Sequence, residues 1–252
     1  MSVAGRHVVV TGGGTGVGRA MTEAFAAAGA TVTAMGRRDG PLREVAAGHD
    51  GIGWATCDVT DRAAVARAFE TAREERGPVS VVVANAGAAE SMPFARLSPE
   101  QLSAMLAVNL GGVVNAWQAG LDDMTAAGWG RLIAVASTAG LKGYAYVTAY
   151  AAAKHAVVGL TRSLALELGE SGVTANALCP GFIETPLLDR SIATITEKTG
   201  MDAAQARASL MRGNPQKRFI QPGEVAGAAL WLCSDSAGSV NGHALAISGG
   251  ET

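Results

Sequence analysis

Val8-Val9-Val10-Thr11-Gly12-Gly13-Gly14-Thr15-Gly16-Val17-Gly18-Arg19-Ala20 reads as a strand, a glycine loop and the opening of a helix. β-Branched residues suit a pleated strand. Glycines allow a tight turn and, lacking Cβ, let backbone N–H groups and a helix N-terminus approach a pyrophosphate. The spacing is Gly12, then Gly16, then Gly18, which differs from the common GxGxxG fingerprint. Its place, directly behind the first strand and ahead of an amphipathic helix, still predicts a dinucleotide site.

Outward from this unit, strand and helix signals alternate to the end of the chain. Runs of strand length lie at His7–Thr11, Thr31–Gly36, Ile52–Cys57, Ser80–Ala84, Arg131–Ser137, Val173–Leu178 and His243–Ile247. Helical stretches fall at 17–28, 41–47, 61–76, 99–124, 148–169 and 222–235. Asp61 and Ser98 suit N-cap positions, with Pro99 at the first helical position. Such alternation predicts an α/β fold of about seven strands, doubly wound and parallel, with helices on both faces. No linker or internal repeat divides residues 1–252, so one domain is expected. Residues 182–221 break the rhythm: they carry no strand signal but hold two amphipathic segments, 186–197 and 202–212. An insertion of this length just past Pro180-Gly181 predicts a helical lid beside a ligand crevice.

Composition agrees. Apolar residues make up 48% and charged residues 17%, as for a parallel sheet covered on both sides. The low charge also points to surface buried between subunits. A net charge of −2 offers no field for nucleic acid. Cys57, Cys179 and Cys233 form no CxxC and read as reduced core residues rather than metal ligands, which fits a cytoplasmic protein. Residues 1–7 enter the first strand without a charged-then-apolar leader, and no run is long enough to span a membrane, so neither a signal peptide nor membrane association is expected.

The end of the second strand discriminates between cofactors. Met35-Gly36-Arg37-Arg38 holds no carboxylate before Asp39, and two guanidiniums favour a 2′-phosphate, hence NADP(H) over NAD(H). Arg37 and Arg38 as plain surface residues, with Asp39 turned inward, is the alternative. Asp58 either accepts from an adenine amino group or caps a helix. Asn85 either lines the cofactor with Gly87 or stitches neighbouring strands.

Tyr150-Ala151-Ala152-Ala153-Lys154 puts a phenol and an ammonium one helical turn apart on one face. Ser137 stands upstream at the end of an apolar run. Together they suit proton exchange with an oxygen while a nicotinamide exchanges a hydride. His155, on another side of that helix, reads as packing or interface.

In this order and spacing, Gly12, Gly16, Val17, Gly18, Asp58, Asn85-Ala86-Gly87, Asn109, Ser137, Tyr150, Lys154 and Pro180-Gly181 resemble the short-chain dehydrogenase/reductase family in its single-domain branch, over about residues 5–250. The resemblance implies a Rossmann-like fold and an oxidoreductase interconverting a secondary alcohol and a ketone. By position, Tyr150 is the expected general acid and base, and Lys154 lowers its pKa and binds the nicotinamide ribose. Ser137 holds the substrate oxygen, and Asn109 holds a water linking Lys154 to solvent, although a kink or internal hydrogen bond is an equal reading of a lone Asn. Cofactor contacts are expected from Gly12, Thr15, Gly16, Val17, Gly18, Asp58, Val59, Asn85, Ala86, Gly87, Pro180, Gly181, Ile183 and Thr185. Tyr144, Tyr146, Leu187 and Leu188 are expected to line an apolar substrate cleft. The second half of the chain is similar to 3-hydroxybutyrate dehydrogenases and 3-oxoacyl thioester reductases. Lys142, Arg212, Lys217 and Arg218 are candidate partners for a substrate carboxylate or a carrier's phosphates, or are ordinary surface charges. The resemblance also implies a homotetramer that pairs the helices at 99–124 and 148–169 and packs the last strands. A non-catalytic cofactor sensor of the same fold is the competing reading; it would have lost the tyrosine or the lysine.

Overall fold

The computed structural model describes residues 3–252. Seven parallel strands form one sheet: β1 (His7–Thr11), β2 (Thr31–Gly36), β3 (Ile52–Thr56), β4 (Val79–Ala84), β5 (Gly130–Val135), β6 (Val173–Pro180) and β7 (Ala244–Ile247). Their order is β3-β2-β1-β4-β5-β6-β7, so the chain reverses direction across the sheet between β1 and β4. A crevice outside the carboxyl ends of those two strands is where such sheets bind ligands.

Alternation within each strand sorts two cores. Val9, Val82, Leu132 and Ala175 face Phe69, Trp117 and Val157 on one side. These come from α3 (Arg62–Arg76), α5 (Gly112–Ala127) and α6 (Thr148–Glu167). Val8, Val10, Val81, Val83 and Ile133 face Met21, Phe25, Leu42 and Leu232 on the other. These come from α1 (Gly16–Ala27), α2 (Asp39–Ala47) and α9 (Pro222–Leu232). Each fully buried Phe or Leu contributes about 1.5–3 kcal/mol. The strands read as unbroken apolar runs because both faces are covered.

Both expected caps form. Asp61 accepts from the amides of Ala63 and Ala64 at 2.9 and 3.0 Å. Ser98 and Gln101 close a capping box on α4 (Pro99–Leu106). The stretch expected as one helix over 99–124 is interrupted by a π turn, Ala107–Gly111, before α5 continues to Ala127. One extra residue in the ladder leaves no mark in an apolar pattern. The run expected as strand to Ser137 ends at Val135, because Ser137 opens a 3₁₀ turn, Thr138–Gly140. Residues 182–221 form α7 (Pro186–Thr199) and α8 (Ala203–Met211), near the two expected segments. They also hold a parallel bridge between Ile183 and Ile220 that the sequence did not signal. Among the described residues no helix is long and apolar enough to cross a membrane.

At the opposite end of the sheet from the crevice, His7 is buried between the Gly77 carbonyl and the Thr33 hydroxyl, at 2.8 and 2.9 Å. Burial lowers its pKa, with Arg76 acting in the same direction. The unfolded chain takes up this proton near pH 6.5, and the folded chain only at lower pH. The stability His7 contributes is therefore complete above about pH 6.5 and lost as pH falls through the folded value. The fall in Tm between about pH 6.5 and 5 should be shallower in His7→Gln than in the native protein, measured by calorimetry across that range.

Candidate active site

Gly12 and Gly16 occupy left-handed backbone at φ 67° and 55°, which glycine adopts without strain. A Cβ on Gly12 would press against Asn85 Nδ2 at 2.8 Å, and one on Gly18 would collide with the Gly12 carbonyl. Thr15 is the N-cap of α1 and makes no side-chain capping bond. The N–H groups of Gly16, Val17 and Gly18 thus have no intrahelical partner and point the positive end of the helix dipole out of the loop. This cradle fits a pyrophosphate.

Arg37 and Arg38 are exposed beyond the end of β2. Asp39 is engaged by Arg43 on its own helix at 2.6 Å, so it is not the inward carboxylate of the alternative reading. Asp58 accepts from the amide and hydroxyl of Thr60 at 2.9 and 2.8 Å. Those bonds, chiefly the backbone one, lower its pKa, and Arg37 adds a smaller pull. Capping falls to Asp61 instead. Val59, buried beyond β3, accepts from Asn115 Nδ2 through its carbonyl at 2.8 Å. Asn85 takes the stitching role: Nδ2 donates to the Thr11 carbonyl at 2.9 Å, and its own amide donates to the Thr11 hydroxyl at 3.0 Å. Ala86 N donates to the same hydroxyl at 3.1 Å. The stitch fixes the ends of β1 and β4 around the glycine loop.

Ser137, Tyr150 and Lys154 converge past β5. The turn at Thr138–Gly140 lies against α6 so closely that a Cβ on Gly140 would meet the Lys154 carbonyl at 2.7 Å. Ser137 Oγ accepts from Ala139 N at 3.1 Å and lies within reach of the Tyr150 phenol. Burial pushes that phenol above its ordinary value, and Ser137 pulls the other way. Lys154 is 4% exposed. Its Nζ donates to the Val135 carbonyl at 2.8 Å and lies 5.6 Å from the centre of the Tyr150 ring. Burial lowers its pKa to about 8. In this geometry Ser137 acts on the phenol directly, and the Lys154 ammonium stands over the same ring.

Asn109 sits in the π turn, fully buried. Its Nδ2 donates to the Ala88 and Met105 carbonyls at 2.9 and 3.1 Å. A Cβ on Gly87 would lie 2.8 Å from Asn109 Oδ1 and 3.7 Å from Lys154 Nζ. Internal bonding and a place beside the lysine therefore coexist, and π turns often mark functional positions. His155 is exposed and bonds the Ala151 carbonyl at 2.9 Å, away from this group.

Beyond Pro180, Gly181 N donates to the Ile247 carbonyl at 3.0 Å. Glu184 N and Ile220 N make the bridge bonds across to Ile220 O and Phe182 O, so the N–H and C=O of Ile183 face the other way. The Thr185 hydroxyl donates to that carbonyl at 3.3 Å. Thr185 Cγ2 comes within 3.4 Å of a Cβ placed on Gly16, so this segment meets the glycine loop. Glu184 pairs with Arg207 at 2.5 Å and accepts from Gln221 at 3.1 Å, pinning the lid.

The expected cleft residues divide. Tyr144 packs edge-on against Phe182 with centroids 6.4 Å apart, and its hydroxyl lies 2.7 Å from both Thr138 Oγ1 and Glu251 Oε1. Tyr146 takes φ 67° and lines a pocket with Met92, Phe94, Leu97 and Met105. Leu187 is 40% exposed, but Leu188, at 3%, is enclosed by Ile192, Ala206 and Phe219 inside the lid. Leu188 therefore holds the lid together instead of lining the cleft. Arg218 is held by Glu224 through two bonds at 2.6 and 2.7 Å, and Lys217 donates to the Arg212 carbonyl at 3.1 Å. Lys142 pairs with Glu251 at 3.1 Å. Sequence reasoning missed Glu251 and also Lys198, which ties the end of α7 to the Ser91 carbonyl at 3.3 Å; nothing local marks either. Cys179 is buried beside Ser137, Tyr150 and Lys154, and burial raises its thiol to about 11.

A nucleotide cradle at the sheet's switch point with a Ser, Tyr and Lys beside it defines a dinucleotide-dependent oxidoreductase. The sequence matches the short chain dehydrogenase family over residues 6–195. It is 35% identical to D-beta-hydroxybutyrate dehydrogenase of Cupriavidus necator, over 98% of this chain and 97% of that protein. It is 34% identical to 3-oxoacyl-[acyl-carrier-protein] reductase MabA of Mycobacterium avium, over 97% and 89% of the two chains. The fold superposes on actinorhodin polyketide ketoreductase with NADPH at a TM-score of 0.94, with 30% identity, covering 100% of this chain and 98% of the other. This chain belongs to the short-chain dehydrogenase/reductase family and is a nicotinamide-dependent oxidoreductase, which sets aside the sensor reading.

Proposed function

We propose that the enzyme interconverts a secondary alcohol and a ketone on a 3-hydroxyacyl or 3-oxoacyl compound, with NADP(H) favoured over NAD(H). The observation that carries this is the meeting of Ser137, Tyr150 and Lys154 beside the glycine cradle. The nicotinamide, when bound, supplies or removes the hydride at the reacting carbon. Tyr150 Oη gives its proton to the carbonyl oxygen during reduction and takes one from the hydroxyl during oxidation. Ser137 donates a hydrogen bond where negative charge builds on that oxygen. Lys154, charged and buried, stabilises the phenolate left behind and reaches the ribose, and Asn109 links it toward solvent. The substrate class is drawn from relatives named for a 3-hydroxy acid and for a 3-oxoacyl thioester.

Two exposed guanidiniums with Asp39 drawn off by Arg43 support the NADP(H) preference. Each charged hydrogen bond to a 2′-phosphate contributes about 1.5–3 kcal/mol. Arg37→Ala combined with Arg38→Ala should therefore raise KM for NADPH about 30-fold or more and leave KM for NADH nearly unchanged. A panel of ketones and 3-oxoacyl thioesters run with each nucleotide tests both parts. Faster oxidation of NADH throughout overturns the preference, and no turnover with any of them overturns the substrate class.

The assembly we infer is a homotetramer in the cytoplasm. Leu166 on α6 is 86% exposed and Trp231 on α9 is 42% exposed, apolar surface that suits contact with further copies. Three buried free thiols suit a reducing compartment.

A further inference from the structure

The carboxylate of Glu251 sits where the loop after Ser137, the end of β6 and the end of the lid segment meet. It lies 2.7 Å from the Tyr144 hydroxyl and 3.1 Å from Lys142 Nζ, and its side chain is only 5% exposed. Lys142 Nζ also donates to the Glu251 backbone carbonyl at 3.3 Å. Cβ atoms built on Gly213 and Gly181 would stand 2.8 and 3.3 Å from its two carboxylate oxygens. The substrate loop after Ser137, the end of β6 and the end of the lid thus share one negative group. Tyr144 in turn packs on Phe182 and interacts electrostatically with Tyr150. Lys142, the cation best placed to receive an acidic substrate, is already neutralised by the chain itself. Arg207 and Arg218 of the lid segment are held by Glu184 and Glu224, and Lys198 is engaged at Ser91.

We propose that Glu251 is a specificity-determining residue that makes this cleft select 3-oxoacyl substrates whose carboxyl end is esterified and uncharged, and reject the free acids. The inference rests on the reaction assigned above and narrows its substrate class. A free carboxylate beside Tyr144 would give up water in a partly desolvated site and find its nearest cation, Lys142, already spent on Glu251. An ester or thioester brings no charge and leaves the Lys142–Glu251–Tyr144 arrangement intact. Discrimination built this way works by rejecting the competitor rather than by adding contacts to the favoured substrate.

The test compares 3-oxobutyrate with its ethyl ester, using NADPH and the full-length protein. The native enzyme should show kcat/KM for the ester at least about 10-fold above that for the acid, with the difference in KM. Glu251→Gln should raise the acid-to-ester ratio about 10-fold through the KM of the acid. Adding Lys142→Met should take that gain away, because the freed ammonium is what receives the acid. A native enzyme that uses the acid as well as the ester overturns the inference while leaving the reaction assignment standing, and so does a Glu251→Gln ratio equal to the native one. The native comparison decides even if the variant fails to fold. Failure to turn over either compound overturns the assigned substrate class and the inference with it.

Discussion

Tyr150→Phe is expected to lower kcat by about 10³-fold, the middle of the range for a positioned general acid or base, while the Kd for NADPH stays within about 2-fold. The substitution keeps the ring that packs beneath Lys154 Nζ and removes only the oxygen that Ser137 engages. Tyr150 is half-buried, and desolvation holds the phenol above its ordinary value. With the oxygen gone, the remaining donor beside the substrate oxygen is Ser137, whose hydroxyl polarises but does not deliver a proton easily. On the proposed reading, nucleotide affinity rests mainly elsewhere, on the loop at Gly12–Gly18 and on Arg37 and Arg38. Initial rates and calorimetric titration on the same preparation separate the two effects. A variant that keeps a tenth or more of native turnover would mean that another group carries the proton.

Gly18→Ala should be among the most damaging single methyl additions in the molecule. Its Cβ would overlap the Gly12 carbonyl, a backbone atom that cannot swing aside, and would crowd Asn85. Gly12 and Asn85 are themselves fixed, because Asn85 Nδ2 donates to the Thr11 carbonyl at 2.9 Å. Forced overpacking of this kind costs about 3 kcal/mol. Relief comes only by opening the loop, which separates the α1 amides from the pyrophosphate position. The expected results are a Tm lowered by several degrees, about 2–4 °C per kcal/mol for a chain of this size, and no measurable nucleotide binding. An unchanged Tm with native affinity would show that the loop tolerates a Cβ and that its shape does not determine binding.

The sequence made the cradle legible because its signal is local: glycines behind a β-branched run and ahead of a helix. The juxtaposition of Tyr150 and Lys154 was legible for a similar reason, since the two share a helix face whatever surrounds them. What stayed hidden depends on pairings across long separations or on single-residue register. Tyr144 and Glu251 are 107 positions apart, and neither carries any mark of the other. The π turn at Asn109 adds one residue to a helix whose apolar pattern continues on both sides. Leu187 and Leu188 are adjacent leucines about 100° apart on α7, and only the packing of α8 decides which one is enclosed. The roles of Asn85 and Asp58 were undecided between ligand and scaffold because both need the same short polar side chain at a strand end. The coordinates bond Asn85 to Thr11 and Asp58 to Thr60.

The sheet order carries a consequence for how the polypeptide is made. β1 pairs with β2 on one edge as soon as the first crossover is complete, but its other edge must wait for β4. At about 5–20 residues per second, the interval between synthesis of Thr11 and of Val79 lasts several seconds. Throughout it, Val8-Val9-Val10 presents unpaired amides and carbonyls that any nascent copy can capture. The edge of β1 that faces β4 thus stays open to pairing with another copy longer than the edge that faces β2.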